Sequence, residues 1–127
     1  LRRAGIETKT VSIMGREEIQ GAHGITVKAD SLFEDTDFSE VKMLVLPGGM
    51  PGTIHLKEHK GLEELILKHN EEKKYLAAIC AAPTVFGSHR PSSDRCLMLR
   101  GFPLLPGFVP EKSDPGSPAH IFLPFLH

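Results

Sequence analysis

The sequence predicts an α/β protein built on a parallel β-sheet, and two apolar runs carry this prediction. Residues Val41–Leu46 and Tyr75–Ile79 are short and almost continuously apolar. Continuous apolar character is typical of strands that are buried on both faces, as in a parallel sheet. Between them, residues 58–70 place apolar side chains at helical spacing on one face. A strand, a helix and a second strand in this order form a βαβ unit.

The N-terminal third predicts two further strands and the loops that connect them. The stretch Gly5–Met14 has apolar residues among threonines and predicts a strand, and Ile25–Ala29 alternates in the manner of a shorter one. Residues 15–21 predict a polar turn, and residues 30–39 predict an acidic loop. After the second apolar run, Pro83 suits the first position of a helix, where its missing N–H costs nothing.

The second apolar strand ends in Cys80, which is followed by two alanines and a proline. A strand that stops abruptly and turns into a helix presents one side chain at the edge of the sheet, as in a nucleophile elbow. Small residues such as Ala78 and Ala82 let the strand and helix backbones approach closely there. Because a helix N-terminus favours a thiolate, we expect Cys80 to be reactive. The alternative is a buried structural cysteine, since free cysteines are among the most buried residues.

A glycine-rich loop, Pro47–Gly52, closes the first apolar strand. The adjacent Gly48 and Gly49 allow positive φ and a close approach to a ligand, and their N–H groups could point at a developing oxyanion. The alternative is an ordinary turn between a strand and a helix. Since parallel α/β sheets bind ligands at the carboxyl ends of their strands, we expect a site between Gly48 and Cys80.

The segments Leu46–Thr53 and Ala77–Pro83, with a helix between them, resemble the ThiJ/PfpI family. This is the superfamily of the Parkinsonism-associated deglycase, and it is related to class I glutamine amidotransferase domains. Leu1–Ile6 also looks like the family's first helix running into its second strand. The resemblance covers residues 1–87 and implies a flavodoxin-like three-layer sandwich with a parallel sheet. On this alignment the fold is incomplete at both ends of the chain.

The resemblance also implies the residues of a site. Cys80 would be the nucleophile, and the N–H groups of Gly48, Gly49 and Ala81 would bind the oxyanion. The implied chemistry is that of a glyoxalase or deglycase, which acts without a cofactor on small α-oxoaldehydes or their glycated adducts. The implied assembly is a homodimer.

Two features of the family do not carry over to this chain. The acidic residue that hydrogen-bonds the cysteine would precede Leu1. Many members also supply a histidine about twenty residues after the cysteine, where Arg100 stands here. We therefore expect little turnover. The alternatives are a redox-sensing stress-response protein that acts through oxidation of Cys80, and a fragment without a function of its own.

The chain divides by composition into a partial α/β domain, residues 1–87, and a proline-rich tail, residues 88–127. The tail holds seven of the ten prolines, which exclude a long helix and disfavour central strands. One interpretation is that the native reading frame is lost near Gly87. The other is a divergent C-terminal extension.

Charge and composition disfavour several classes of function. The formal net charge is -1, and there are no basic runs for nucleic acid or anionic membrane. No apolar stretch is long enough to span a bilayer, and no signal peptide begins the chain. Two cysteines fit a reducing compartment, so we expect a cytoplasmic protein, although a Cys80–Cys96 bridge is possible. His55 and His59 have a spacing that can bind zinc, but without the H-E-x-x-H order we expect a solvated helix and no metal.

Overall fold

The computed structural model describes residues 1–86, 96–99 and 119–123, with residues 97–99 and 119–123 described through their backbone only. In these residues one six-stranded sheet has the order β4-β1-β8-β5-β6-β7, and every pair of neighbours is parallel. A separate hairpin pairs β2 with β3. The strands are β1 (Thr8–Ser12), β2 (Glu18–Gln20), β3 (Thr26–Lys28), β4 (Ser31–Leu32), β5 (Met43–Leu46), β6 (Tyr75–Ile79), β7 (Cys96–Leu99) and β8 (Ala119–Leu123).

The two apolar runs form neighbouring strands, as the sequence predicted. β5 and β6 pair in parallel, from Met43 opposite Tyr75 to Leu46 opposite Ala78. The chain crosses between them through two helices, α1 (Gly52–Glu58) and α2 (Lys60–Glu71). This arrangement confirms the predicted βαβ unit and brings the carboxyl ends of both strands to one edge of the sheet.

The prediction of one helix over residues 58–70 is wrong in its extent. The helical segment begins earlier, at Gly52, and is broken at His59, whose backbone is extended. Nδ1 of His59 accepts a hydrogen bond from the N–H of Leu62 at 3.0 Å, so the imidazole caps α2. The His59 ring also lies edge-on to Phe33, with ring centroids 4.6 Å apart. No helix among the described residues is long and apolar enough to cross a membrane.

The predicted polar turn at residues 15–21 is also wrong in part, because it contains strand β2. Ile19 of β2 is buried and pairs with Val27 of β3. A single apolar residue among charged neighbours gives too little periodicity to predict a strand. The N-terminal strand is shorter than the predicted Gly5–Met14, and a 3-10 turn at Arg2–Ala4 precedes it.

The core lies where β1, β5 and β6 pack against α1 and α2. Leu44, Leu56, Leu62 and Leu76 are fully or almost fully buried. The buried cluster in the described residues comprises Val11, Ile13, Val41, Leu44, Leu46, Leu56, Leu62, Ile66, Leu76, Ala78, Ala82, Phe86 and Cys96. Burial of large aliphatic side chains stabilises such a fold by about 1.5–3 kcal/mol each, so these residues fix the positions of the strand ends.

Two strands of the sheet come from the proline-rich segment 88–127. β7 pairs with β6 at the edge, and β8 lies between β1 and β5 near the centre of the sheet. Closely spaced prolines were expected to disfavour a central strand, but β8 fits in a proline-free run between Pro118 and Pro124. The division at residue 87 and the origin of the segment stay predictions.

Candidate functional site

Cys80 lies directly after β6, at the carboxyl edge of the sheet. Its φ is 58°, a left-handed value that is uncommon outside glycine and costs about 1 kcal/mol or more. A 3-10 helix, Ala82–Phe86, follows the turn. The side chain is exposed rather than buried as a structural cysteine would be. The chain therefore holds one strained residue in place and presents its thiol to solvent.

Gly48 is in direct contact with this turn. A Cβ added to Gly48 would lie 2.4 Å from the carbonyl oxygen of Ile79, 2.6 Å from Cβ of Cys80 and 2.8 Å from the nitrogen of Ala81. Two of these atoms belong to the backbone, so no other residue fits at position 48 without displacing the turn. The loop after β5 and the turn after β6 thus meet at one edge of the sheet.

Gly49 continues the loop with a φ of 110°, which also favours glycine. Its carbonyl oxygen accepts two hydrogen bonds from Thr53, one from the N–H and one from the hydroxyl, both at 2.8 Å. These bonds turn the carbonyl of Gly49 towards the first turn of α1. The Thr53 side chain is buried and fixes the loop.

A second threonine holds the turn on the other side of the site. The carbonyl oxygen of Ala81 accepts hydrogen bonds from the N–H of Thr84 at 3.2 Å and from its hydroxyl at 2.7 Å. Sequence reasoning missed both Thr53 and Thr84. The signal that could have found them is a threonine three or four residues after a turn that opens a helix, where its hydroxyl can satisfy a backbone carbonyl.

Three backbone N–H groups near Cys80 have no hydrogen-bond partner among the described residues. The hydrogen bonds seen among the described residues include none donated by the N–H of Gly48, Gly49 or Ala81. Gly48, Gly49 and Ala81 are half-buried, so their N–H groups are open to water or to an oxygen that carries negative charge. Gly48 and Ala81 are both in contact range of Cys80 in the geometry given above. Such a set of donors is suited to an oxyanion or to the oxygens of an oxidised thiol.

The two cysteines have opposite surroundings. Cys96 lies on β7 and is buried, and burial raises the pKa of its thiol to about 11. Both cysteines are free, so the possible Cys80–Cys96 bridge is not formed. Since the thiolate is the reactive form, Cys96 is protected at neutral pH while Cys80 is open to reagents.

The histidines considered in the sequence do not assemble a site in the described residues. His59 is committed to capping α2, and the helix break separates it from His55 on α1, so the two do not share one helix face. Among the described residues no group of three histidine, cysteine or carboxylate side chains could hold a metal ion. Arg100, which stands where many family members have a histidine, lies outside the described residues.

A second notable region, missed in the sequence, lies at the opposite end of the strands. We call it the amino-edge cavity, about 250 Å³ in volume. It is lined by Asp37, Phe38, Ser39, Leu65, Lys68, His69, Glu72 and Lys74. His69 is buried at 1% exposure, and burial, with the nearby Lys74 ammonium, lowers the pKa of its imidazole to about 4.

Comparison with known proteins gives a family and individual relatives. The DJ-1/PfpI family matches residues 1–95. Protein DJ-1 homolog A of Arabidopsis thaliana is 38% identical over 85 residues, which are 67% of this chain and 22% of that protein. A deglycase of Thermococcus kodakarensis is 34% identical over 85 residues, 67% of this chain and 50% of the deglycase.

Solved structures give the same result for the fold. The oxidized form of Toxoplasma gondii DJ-1 superposes with a TM-score of 0.64 and 34% identity, covering 69% of this chain and 48% of that one. The chain thus spans half or less of each relative compared. The likeness confirms the predicted flavodoxin-like α/β fold, here in incomplete form. With three quarters of its residues matched by one family, the chain belongs to the DJ-1/PfpI family.

Proposed function

We propose that Cys80 is the nucleophile of a glyoxalase-like or deglycase-like site that acts on α-oxoaldehydes or on adducts derived from them. The observation that carries this proposal is the exposed thiol of Cys80 on a left-handed turn in contact with Gly48. A strand, a strained turn and a short helix are the parts of a nucleophile elbow. The relative named as a deglycase supports the choice of chemistry.

The proposed reaction begins with attack of the Cys80 thiolate on the aldehyde carbon. A carbon–sulfur bond forms, and the electron pair of the carbonyl moves onto its oxygen. The N–H groups of Gly48, Gly49 and Ala81 then stabilise that oxyanion. Loss of one such donor typically costs a factor of about 10²–10³ in rate. A proton then moves from the former aldehyde carbon to the neighbouring carbonyl carbon, which gives a thioester of a 2-hydroxy acid. Water cleaves the carbon–sulfur bond of this thioester, releasing the acid and returning the thiol, and no cofactor takes part in the proposed reaction.

The proposed reaction also needs a group that transfers protons. Turnover requires a general acid–base within hydrogen-bond reach of the reacting groups. Within the described residues, no carboxylate or imidazole is hydrogen-bonded to the Cys80 thiol. We therefore propose that this chain has weak activity or none as it stands, and that any missing acid–base lies outside the described residues.

A second candidate function is redox sensing by Cys80 in a stress response. The contrast between an exposed Cys80 and a buried Cys96 favours it, because oxidation of a thiol to a sulfenic or sulfinic acid needs no second catalytic residue. The unused N–H groups around Cys80 could bind the oxygens of the oxidised sulfur. The Toxoplasma relative named as oxidized fits this role.

The compartment, the assembly and the substrates are proposed from the resemblance to the family. We propose a cytoplasmic protein that forms a homodimer and takes small aldehydes or glycated molecules as substrates. Nucleic acid and membrane have no part in the proposal. Residues 1–87 would be the family's partial domain, and residues 88–127 a proline-rich tail that is either aberrant or divergent.

The test compares the full chain with C80S and C96A. Incubation with methylglyoxal and measurement of lactate separates catalysis from its absence. Lactate formed by the unchanged chain and by C96A, and lost in C80S, supports the enzyme. If no chain forms lactate, mild peroxide followed by peptide mass spectrometry tests the sensor. Selective oxidation of Cys80 over Cys96 supports it, and equal oxidation at both positions rules it out.

Alkylation of Cys80 across pH, in native buffer and in denaturant, checks the premise of both functions. A site that stabilises the thiolate shifts the half-maximal rate to lower pH in native buffer only. Identical profiles in both conditions would show that the turn is not assembled, and would remove the basis for either function.

A further inference from the structure

The two segments that meet at the carboxyl edge contain no charged residue. One is residues 46–54, from the end of β5 into the first turn of α1, and the other is residues 79–86, from the end of β6 through the 3-10 helix. Their polar side chains are Thr53, Thr84 and the thiol of Cys80. Both threonine hydroxyls donate to backbone carbonyls, so they are already engaged in holding the turns. These segments therefore offer a substrate no charged partner next to the thiol.

The same two segments expose three large apolar side chains, Met50, Ile54 and Ile79. Single exposed apolar residues are ordinary, but several beside one site are typical of a surface that binds a ligand. Elsewhere in the described residues, the exposed large apolar side chains all lie within the first 28 residues: Leu1, Met14, Ile25 and Val27. The apolar exposure of the remaining described chain is thus concentrated around Cys80.

The backbone brings Ile79 and Met50 to the contact between Gly48 and Cys80 from its two sides. Ile79 directly precedes Cys80, and its carbonyl oxygen is the atom that a Cβ on Gly48 would approach most closely. Met50 follows Gly48 by two residues, so two Cα spacings keep its Cα within about 7.6 Å of the Cα of Gly48. One exposed apolar side chain thus belongs to each segment of the contact.

Met50 is the most exposed of the three side chains, at 57%, and the most adaptable. Methionine is unbranched and polarisable, so it packs against groups of different shape. Ile54 is held more firmly, because it follows Thr53, whose N–H donates to the carbonyl of Gly49 at 2.8 Å. We therefore expect Met50 to contribute most to the choice of substrate.

We propose that Met50, with Ile54 and Ile79, selects substrates of Cys80 that carry an uncharged apolar group, alkyl or aryl, beside the carbonyl. A carboxylate, phosphate or ammonium at that place would lose water without gaining a partner of opposite charge. An apolar group would instead bury its surface against the three side chains. The inference rests on the proposed function, in which Cys80 is the attacking group, and narrows its substrates to apolar α-oxoaldehydes.

Three maleimides test this preference without requiring turnover: N-ethylmaleimide, N-(2-carboxyethyl)maleimide and N-(2-aminoethyl)maleimide. With each, the thiolate of Cys80 forms a carbon–sulfur bond at the ring double bond, whose electron pair takes a proton from water, and nothing leaves. Peptide mass spectrometry gives the rate at Cys80 separately from Cys96, for the full chain in native buffer and in urea. We expect the preference for the ethyl reagent over each charged one to be at least about fivefold greater in native buffer.

Two variants assign the preference to Met50. M50Q keeps the length of the side chain but makes its end polar, and should reduce the native preference at least about threefold. The matched control is I25Q, because Ile25 is 63% exposed beside β3, away from the two segments. I25Q should leave the preference unchanged. Both positions are exposed, so both variants should fold, which urea unfolding verifies.

The other outcomes each overturn the proposal. Equal preferences in native buffer and in urea would show no selection by the folded chain. Faster labelling by the cationic reagent with slower labelling by the anionic one would assign the selection to charge. The same preference in M50Q and I25Q would exclude Met50, and no labelling of Cys80 by any reagent in native buffer would show that the three side chains are covered.

Failure of this inference is distinguishable from failure of the proposed function. Lactate formation from methylglyoxal without any preference among the maleimides would remove the inference and leave the enzyme. A preference lost in M50Q, in a chain that forms no lactate, would remove the enzyme and leave an apolar site beside a reactive thiol.

Discussion

The two edges of the sheet differ in which reactive or titratable group they hold and in whether that group is exposed or buried. At the carboxyl edge, Cys80 is exposed on a left-handed turn, and N–H groups around it are unused within the described residues. At the amino edge, His69 is buried, and Lys74 pairs with Glu72 at 2.7 Å and donates to the carbonyl of Ser39 at 3.0 Å. Both edges hold a left-handed residue, Cys80 at one and Lys73 at the other, but only the carboxyl edge places an exposed thiol on it. The amino edge instead buries an imidazole beside an ion pair.

The largest effect is expected from the contact that forms the carboxyl edge. In G48A the new methyl group meets backbone atoms of the Cys80 turn, so we expect a loss of about 3 kcal/mol in the free energy of unfolding. Cys80 should then be alkylated alike in native buffer and in denaturant. Urea unfolding and alkylation rates measure both effects.

The matched control for this variant is G5A. Gly5 has a φ of 75° but nothing within 4 Å of an added Cβ, so it tests backbone strain alone, at about 1 kcal/mol. If G48A and G5A lose the same stability, and Cys80 keeps its native reactivity in both, then close packing does not shape the carboxyl edge.

The next effect is a pH dependence located at the amino edge. His69 has its pKa lowered to about 4 in the folded chain, from an ordinary value of 6.5, chiefly by burial. Between these values the unfolded chain binds the proton and the folded chain does not, so stability falls as the pH falls from 6.5 to 4. The full loss is about 3 kcal/mol, and below pH 4 this group adds no further slope.

Urea unfolding of the unchanged chain and of H69L, at intervals from pH 7.5 to pH 4, measures this slope. In H69L the dependence between pH 6.5 and 4 should disappear. Glu72 and Asp37 have carboxyl pKa values below their ordinary range, so their effect appears at lower pH and is present in both chains. An unchanged slope in H69L would assign the dependence to another group.

The smallest effect concerns the break between α1 and α2. H59A removes the imidazole that accepts the N–H of Leu62, and we expect a loss of about 1 kcal/mol. The control H55A removes a histidine of α1 that caps nothing, and should change stability by less than about 0.5 kcal/mol. Thermal unfolding of both, with and without zinc, measures the difference. Stabilisation of the unchanged chain by zinc, lost in either variant, would restore the metal interpretation.

The parts of the fold that follow from local pattern were predictable. Val41–Leu46 and Tyr75–Ile79 are apolar because both faces of a central parallel strand are buried, and parallel strands place their carboxyl ends together. From these facts alone Gly48 and Cys80 were expected at one edge, and the structure places them in contact.

The parts that depend on distant partners were not predictable. The imidazole of His59 caps α2 and so separates it from α1, and histidine is not among the usual capping residues. Ile19 gives strand β2 only one apolar residue, and its pairing with Val27 is a tertiary fact. β8 lies at the centre of the sheet because it pairs with β1 and β5, and no feature of residues 119–123 predicts these partners.

The rate at which the buried thiol of Cys96 is labelled reports how often the sheet opens between β6 and β7. Cys96 sits on β7 opposite Leu76, and its thiol has a pKa of about 11 while the sheet is closed. A reagent that labels Cys80 within minutes should reach Cys96 only when β7 separates from β6. The ratio of the two labelling rates in one unmodified sample therefore reports how often the sheet opens, with no added probe.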